Sequence, residues 1–265
     1  MRPTPPLRVL GVIPARWGST RLPGKSLVPL CGKPLIQWVV ERAARAARLD
    51  GLLVATDDRR IAEAVAGLEA EAVMTRADHP SGTDRVAEAV AGRGADLVVN
   101  IQGDEPLIDP ALIDRLVATL AAGAPWDMAT AAAPVESAEV LANPSVVKVV
   151  TGADGRALYF SRAAIPYLRD EPSGGRLDLY RRHLGIYAYR APFLARLVAA
   201  PPCALERAEK LEQLRALHLG AAMVVLDADH PGIGVDTPED VAYAEQLIGE
   251  LHTPATDGQC DGTSG

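Results

Sequence analysis

The sequence predicts an α/β fold in which a mostly parallel sheet carries helices on both faces. Through the first half of the chain, short apolar runs of strand length alternate with longer segments whose apolar residues recur every three or four positions. Strands and helices that alternate in this order form parallel sheets covered on both sides. The apolar content is 48% of 265 residues, which is enough to bury the core of one large or two small domains.

The first half begins with a buried strand at Leu7–Ile13, an apolar run that prolines bound on both sides. An amphipathic helix follows at Lys33–Ala47, because Pro34 stands near its start and apolar residues repeat at helical spacing behind it. Strands and helices then continue to alternate. We predict strands at Leu52–Ala55, Glu71–Met74 and Asp96–Ile101, and helices at Asp58–Ala66, Asp84–Ala91 and Pro110–Ala122.

The middle of the chain changes character, because apolar runs of strand length follow one another with turn residues between them, as at 153–155. These strands are predicted at Met128–Val135, Val146–Val150, Arg156–Ser161 and Leu184–Arg190. The segment 169–179 is a polar, glycine-rich loop. The last elements are helices at Ala191–Ala199 and Ala204–Leu219, a strand at Ala222–Leu226 and a helix at Pro238–Leu251. We expect one domain over residues 1–252 and a disordered tail over 253–265.

Composition and charge exclude several classes of protein. The net charge of −7 argues against general nucleic-acid binding. The longest stretch without Asp, Glu, Lys or Arg has eleven residues, whereas a membrane-spanning helix needs about 20 apolar ones. The N-terminus shows no signal-peptide core, and three cysteines without CxxC spacing do not indicate a disulfide framework or a structural zinc site. We expect a soluble cytoplasmic protein that binds neither nucleic acid nor membrane.

One segment is purely basic although the whole chain is acidic. No acidic residue precedes Glu41. The segment after the first strand contains glycines and prolines together with four cations, which are Arg16, Arg21, Lys25 and Lys33. Backbone N–H groups beside glycine can approach phosphate oxygens, and Arg and Lys neutralise phosphate charge. We interpret the segment as a polyanion site rather than as a solvated loop.

The obvious competing interpretation is a Walker A loop. Five residues separate Gly18 from Gly24, where that motif requires four. Pro29 and Gly32 follow at the place where a Walker A loop continues into a helix. The segment is therefore not a P-loop.

Two carboxylates are expected beside this site. A predicted strand ends at Gly103 and presents Asp104 at the carboxyl edge of the sheet, where open α/β folds bind ligands. Asp236 precedes a capping box that explains Thr237 and Asp240 but not Asp236 itself. A single carboxylate at a loop edge can cap a turn. Two of them beside a basic phosphate cradle suggest Mg²⁺ held between the protein and nucleotide phosphates.

These segments resemble the CMP-KDO synthetases, which are 3-deoxy-manno-octulosonate (KDO) cytidylyltransferases. The resemblance covers nearly all of residues 8–250 and includes three further long motifs, 74–85 (MTRADHPSGTDR), 182–187 (RHLGIY) and 211–215 (LEQLR). It implies a Rossmann-like nucleotidyltransferase sheet with a smaller mixed-strand subdomain at about 128–200, which carries the acceptor site and a homodimer contact. It also implies CTP and a small acidic acceptor as substrates, with Mg²⁺ as the cofactor.

The family's residue roles carry over where the motifs match. The resemblance implies that the phosphates of CTP are held by Arg16, Ser19, Arg21 and Lys25, and the cytosine by Arg76, Ser81 and Gly82. It implies that Mg²⁺ binds Asp104 and Asp236, which form the catalytic set with Lys25 and Arg16. It implies an acceptor site lined by Gln102, Arg162, His183, Tyr187, Glu212 and Gln213. His183 and Tyr187 could also serve core or dimer packing, and we expect Arg162 and His183 to read the acceptor's acid group as a cationic pair.

Two other functions stay open at this point. One is cytidylyl transfer to a small phosphonate such as phosphonoformate, suggested by the GC-rich character of a chain in which 23 of 27 basic residues are Arg. The other is a nucleotide-binding regulatory protein without catalysis, against which the joint presence of Lys25, Asp104 and Asp236 speaks. The leading hypothesis is transfer of CMP from CTP to KDO or a related 2-keto sugar acid, with release of pyrophosphate.

Overall fold

The computed structural model describes residues 7–18, 22–170 and 176–252. Ser19, Arg21 and the tail expected from residue 253 lie outside these ranges, so the predictions made for them stay predictions. The described residues form eleven strands and nine α-helices. The strands are β1 (Val9–Ala15), β2 (Pro29–Leu30), β3 (Lys33–Pro34), β4 (Gly51–Thr56), β5 (Glu71–Met74), β6 (Leu97–Asn100), β7 (Met128–Pro134), β8 (Lys148–Thr151), β9 (Ala157–Ser161), β10 (Arg181–Arg190) and β11 (Met223–Asp227). The helices are α1 (Leu35–Ala43), α2 (Arg59–Ala64), α3 (Gly82–Val90), α4 (Pro110–Ala121), α5 (Ala138–Ala142), α6 (Ala191–Ala199), α7 (Ala204–Glu209), α8 (Gln213–His218) and α9 (Pro238–His252).

The main sheet has nine strands, seven of which lie side by side in the order β11-β7-β10-β6-β1-β4-β5. Strand β1 runs parallel to β4 and β6, β4 runs parallel to β5, and β11 runs parallel to β7. Strand β10 is the exception, since it pairs antiparallel with both β6 and β7. Strand β8 pairs with β10 and forms a hairpin with β9. The α/β class and the mostly parallel sheet with added mixed strands are thus confirmed.

Apolar side chains pack on both faces of the sheet. Along β1, Val9 and Ile13 belong to one buried cluster, whereas Leu10 and Val12 belong to another. Successive side chains of a strand point to opposite faces, so both faces of β1 are covered. This two-sided burial explains why β1 is a continuous apolar run in the sequence.

Most element positions agree with the sequence to within a few residues, but one predicted helix is wrong. The helix expected at Ala204–Leu219 is divided into α7 and α8, because Lys210 takes a left-handed conformation with a φ of 54°. The Nε of Arg162 donates to the carbonyl oxygen of Glu209 at 2.7 Å, which stabilises this bend. Helix α5 and strands β2 and β3 were missed, since each is too short to show a periodic pattern.

None of the described helices combines the length and the apolar composition that crossing a membrane requires.

Candidate functional site

A cavity of about 370 Å³, here named the main cavity, opens at the carboxyl ends of the parallel strands β1 and β6. Its wall consists of the residues that follow these two strands, the start of α3 and the loop before α9. Open α/β sheets bind their ligands at this edge. Seven of the predicted site residues line it: Arg16, Lys25, Ser81, Gly82, Gln102, Asp104 and Asp236.

Lys25 connects the two acidic residues of the main cavity. Its Nζ donates hydrogen bonds to Asp104 Oδ2 at 2.5 Å and to Asp236 Oδ1 at 3.0 Å. Burial by itself lowers the pKa of Lys25, but the two neighbouring carboxylates outweigh burial and raise the pKa above its ordinary value. Lys25 therefore carries a positive charge at neutral pH.

Backbone hydrogen bonds fix both carboxylates in place. The N–H of Val235 donates to the carbonyl oxygen of Asp104 at 2.9 Å, which joins the two loops directly. The Oδ2 of Asp240 accepts from the N–H groups of Asp236 and Thr237 at 2.9 and 2.8 Å, and Thr237 Oγ1 accepts from the Asp240 N–H at 3.3 Å. The predicted capping box is confirmed, and it sets the backbone of Asp236 at the start of α9.

The pair of Asp104 and Asp236 fits the requirements of Mg²⁺. Both side chains supply hard oxygen donors, and both reach the same Nζ atom, so one cation can contact the two together. Within residues 7–18, 22–170 and 176–252, no group of three or more His, Cys, Asp or Glu side chains could hold a metal by itself. Mg²⁺ commonly takes one or two carboxylates and completes its shell with water and substrate phosphates.

Trp17, which follows Arg16, packs against Gly24, which precedes Lys25. Gly24 has a φ of 68°, and a Cβ there would lie 2.9 Å from Trp17 Cη2, so this close approach requires glycine. The ring of Trp17 lies 3.3 Å from the guanidinium of Arg60, a cation–π contact. Its backbone N–H donates to Asp57 Oδ1 at 3.3 Å. These contacts fix the residue that follows Arg16.

The start of α3 forms another part of the cavity wall. The Oγ of Ser81 accepts from the Asp84 N–H at 3.2 Å and donates to Asp84 Oδ2 at 2.6 Å, so Ser81 is the N-cap of α3. Arg76 does not line the main cavity. Its exposed guanidinium pairs with Glu88 at 3.4 Å and with Asp78 at 3.8 Å, and its role in cytosine binding stays a prediction.

Arg85 and His79 also line the main cavity, although sequence reasoning did not single them out. Arg85 is buried on α3, where Nη1 donates to Thr75 Oγ1 at 2.5 Å and Nη2 donates to Asp57 Oδ2 at 3.2 Å. His79 Nε2 shares a hydrogen bond with Glu88, and its buried Nδ1 has no partner among the described residues. The sequence feature that could have identified Arg85 is its position as a cation on the buried face of a predicted helix, inside the motif 74–85.

Two of the predicted acceptor residues, Gln102 and Glu212, line the main cavity or a second cavity beside it. Gln102 Nε2 donates to the carbonyl oxygen of Gly185 at 2.7 Å and so connects the cavity with β10. Glu212 lines a second cavity of about 460 Å³, which shares Pro80 and Ser81 with the main cavity. Gln213, the next residue, is 7% exposed. The two cavities therefore adjoin, which leaves room for an acceptor beside a nucleotide.

His183 and Tyr187 form an aromatic group instead of a charged one. The His183 ring lies 5.3 Å from that of Tyr187 and 5.0 Å from that of Phe160. Its Nε2 is 2.9 Å from Thr130 Oγ1. Although part of the residue stays accessible, the surrounding protein atoms penalise the imidazolium and lower the pKa of His183 to about 3. His183 is therefore neutral at pH 7.

Arg162 directs its guanidinium at backbone carbonyl groups. Nε donates to Glu209 at 2.7 Å, Nη1 to Pro144 at 2.9 Å and Nη2 to Lys210 at 3.4 Å. The expected cationic pair of Arg162 and His183 is therefore not formed, since one partner is neutral and the other faces the bend between α7 and α8. Direct contact of either residue with an acceptor stays a prediction.

Known proteins match the chain over most of its length. Residues 10–223 match the family model described as cytidylyltransferase. A 3-deoxy-manno-octulosonate cytidylyltransferase of Pseudomonas fluorescens is 54% identical over 246 residues, which cover 89% of this chain and 96% of the relative. A protein of the same name from Geobacter sulfurreducens is 47% identical over 243 residues, which cover 89% of this chain and 97% of the relative.

Solved structures also superpose on most of this chain. A CMP:2-keto-3-deoxy-manno-octonic acid synthetase complexed with CTP superposes with a TM-score of 0.86 at 41% identity, over 92% of this chain and 99% of the other. A cytidylyltransferase from Leptospira borgpetersenii has a TM-score of 0.62 at 17% identity, over 93% of this chain and 89% of the other. The second likeness concerns the fold alone.

Proposed function

This chain belongs to the cytidylyltransferase family, among the 3-deoxy-manno-octulosonate cytidylyltransferases, and from that premise we propose that it transfers CMP from CTP to KDO and releases pyrophosphate. The observation that carries the proposal is the contact of Lys25 with Asp104 and Asp236 in a cavity that Arg16 also lines. Cations bind the phosphates, and the two carboxylates suit Mg²⁺. We further propose that the enzyme works in the cytoplasm, where CTP is available.

The reaction needs positioning and charge compensation more than covalent help from the protein. A hydroxyl oxygen of the acceptor forms a bond to the α-phosphorus while the bond to the pyrophosphate oxygen breaks, and the hydroxyl proton passes to solvent. Lys25 and Arg16 balance the negative charge that builds up on the phosphates and the leaving group. Mg²⁺ held by Asp104 and Asp236 supplies further positive charge there when it is bound.

The acceptor assignment follows the relatives and the shape of the site. The relatives described above are KDO cytidylyltransferases, and nothing among them supports the phosphonoformate alternative. The second cavity adjoins the main cavity and is lined by Glu212. A carboxylate suits the hydroxyl groups of a sugar acid. Phosphonoformate has no hydroxyl groups beyond its acid groups, so it offers no comparable donors to Glu212, whose carboxylate already accepts a hydrogen bond from Arg215 Nη2 at 3.3 Å.

The decisive experiment supplies CTP and Mg²⁺ with KDO, with phosphonoformate, or with no acceptor. Pyrophosphate release gives the rate, and mass spectrometry identifies the product. We expect CMP-KDO from the KDO reaction alone, with the Lys25→Ala variant largely inactive. Arg93→Ala is the control, because Arg93 is also a cation but pairs with Glu71 and is not part of the main cavity wall. Turnover of phosphonoformate without turnover of KDO would overturn the proposal.

A further inference from the structure

The main cavity has two kinds of wall, and one buried side chain lies between them. Arg16 and Lys25 give the cationic wall that suits phosphates, whereas Pro80, Ser81 and Gly82 give a neutral wall that suits the rest of a nucleotide. The side chain of Arg85 is 4% exposed and has contacts in both directions.

The first contact of Arg85 fixes the segment before the neutral wall. Its Nη1 donates to Thr75 Oγ1 at 2.5 Å. Thr75 in turn donates through Oγ1 to the carbonyl oxygen of Thr56 at 3.1 Å, and through its N–H to the same oxygen at 2.8 Å. Arg85 thereby joins α3, whose N-cap is Ser81, to the ends of β4 and β5.

The second contact reaches the cationic wall. Nη2 of Arg85 donates to Asp57 Oδ2 at 3.2 Å, and Asp57 Oδ1 accepts from the Trp17 N–H at 3.3 Å. Trp17 directly follows Arg16 and packs against Gly24, the residue before Lys25. Through Asp57, the guanidinium of Arg85 therefore connects the backbone of Trp17, beside the cationic wall, to α3, which begins at the neutral wall.

We propose that Arg85 is a positioning residue for CTP, which acts through Asp57 and Thr75 to hold the two walls at the spacing that one nucleoside triphosphate bridges. This inference rests on the proposed function and adds to it the origin of the CTP affinity. A ligand that bridges two preorganised sets of contacts does not have to order them on binding. Arg suits the role because its rigid fork makes directional bonds to two elements, whereas Lys presents a single point of charge.

The linkage is tested by comparing CTP with its two parts. Calorimetry on the protein with Mg²⁺ but no acceptor gives the Kd of CTP, of cytidine and of tripolyphosphate. For Arg85→Gln we expect the Kd of CTP to rise about 10-fold or more, while the Kd values of cytidine and of tripolyphosphate each change by less than about 3-fold, because each part uses one wall only. Arg85→Lys restores little of the CTP affinity.

Two further variants keep the result interpretable. Asp57→Asn weakens the same link from a less buried side chain and is expected to change the Kd values in the same direction, should Arg85→Gln fail to fold. Arg93→Gln is the matched control. Arg93 lies just beyond α3, donates two hydrogen bonds of 2.6 and 2.8 Å to the carboxylate of Glu71, and is not part of the cavity wall. This variant leaves all three Kd values unchanged.

Three outcomes would overturn the inference. An unchanged Kd of CTP in both Arg85→Gln and Asp57→Asn shows that no linkage exists. A loss of tripolyphosphate affinity as large as the loss for CTP shows that Arg85 binds phosphate directly. Equal losses for CTP and both parts, together with a lowered Tm, show a purely structural role. Failure of the wild-type protein to bind CTP would instead count against the proposed function, so the two failures are distinguishable.

Discussion

The ammonium group of Lys25 contacts two carboxylates, yet we expect its catalytic effect to arise from the phosphates of CTP. Negative charge on the phosphates and the leaving group grows towards the transition state, so a cation stabilises that state more than the bound substrate. Lys25→Ala should therefore lower kcat about 100-fold or more while it raises the KM for CTP far less. Initial rates against CTP at saturating KDO measure both constants. A change confined to KM would make Lys25 a binding residue only.

The carboxylates of Asp104 and Asp236 lead to a second prediction at the residue scale. Asp104→Asn and Asp236→Asn keep the shape of each side chain but remove an anionic oxygen ligand, so each should lower turnover about 100-fold or more at saturating Mg²⁺. The Tm should change little. Asp154→Asn, in the exposed turn of the β8–β9 hairpin, is the control and should keep full activity. A near-wild-type rate in either variant removes that aspartate from the mechanism.

Local sequence signals were sufficient for some site residues and not for others. Asp104 follows a buried strand and a glycine, and Asp236 is left unexplained by its own capping box, so both could be predicted. The contacts of Arg85 to Asp57 and Thr75 span 28 and 10 positions, and only the fold brings these residues together. The lowered pKa of His183 could not be predicted, because it depends on the protein atoms around the ring, which the sequence does not specify.

At the scale of elements, the ends of β1 and β6 approach each other closely. A Cβ on Gly103 would lie 3.0 Å from the carbonyl oxygen of Pro14, which the pairing of β1 with β4 holds in place. Gly103→Ala should therefore displace Asp104 and lower kcat about 10-fold to 100-fold, with a Tm lower by a few degrees. Gly249→Ala, on α9, is the control, because no described atom beyond the neighbouring backbone of that helix lies within 4 Å of the added Cβ. Unchanged kcat in Gly103→Ala would show that the loop adapts.

Elements with a periodic pattern could be predicted, and those set by single contacts could not. Strand β5 lies at the predicted Glu71–Met74 because an apolar run bounded by turn residues is a local feature. The sequence around the bend between α7 and α8 contains neither Gly nor Pro, which are the residues that would have predicted a break in the helix. Lys210 ends α7 there, and Arg162 of a different segment stabilises the bend through backbone carbonyl groups.

For the whole molecule, the order of strands and helices predicted the parallel half of the sheet but not its other half. Parallel neighbours joined by helices follow from the right-handed connections that such segments make. The insertion of β10 between β6 and β7 depends on residues far apart in the sequence, because Tyr187 of β10 pairs with Asn100 of β6 on one side and with Thr130 of β7 on the other. The local spacing of apolar residues does not show which distant strands will pair.

The oligomeric state of the protein can also be tested. Three large apolar or aromatic side chains are exposed within 128–200: Leu158 at 57%, Tyr167 at 82% and Leu179 at 42%. The family resemblance implies a homodimer contact in this segment, and we propose that these exposed side chains take part in it. Sedimentation should show a dimer for the wild type and a Kd of dissociation at least about 10-fold higher for Leu158→Ser/Tyr167→Ser. Tyr243→Ser, 54% exposed on α9, should stay dimeric. A monomeric wild type contradicts the proposal.

His183 gives the stability of the whole protein a defined dependence on pH. In the unfolded chain its imidazole binds a proton near its ordinary pKa of 6.5, whereas in the folded protein it does so only near 3. Between these values the unfolded state holds more protons, so stability present at pH 7 is lost as the pH falls. Glu105, whose pKa burial raises to about 7, acts in the opposite direction. A comparison of variants is therefore needed to isolate His183.

We expect the free energy of unfolding to fall by about 2 kcal/mol more in the wild type than in His183→Gln between pH 7 and pH 5, because only the wild type gains a proton at this position on unfolding. Urea titrations at the two pH values measure the difference, and the contribution of Glu105 cancels because both proteins contain it. His218→Gln, at the exposed end of α8, is the control and should follow the wild type. An equal loss in wild type and His183→Gln would mean that folding does not keep His183 neutral, and an acidic acceptor could then still meet a positive charge at this position.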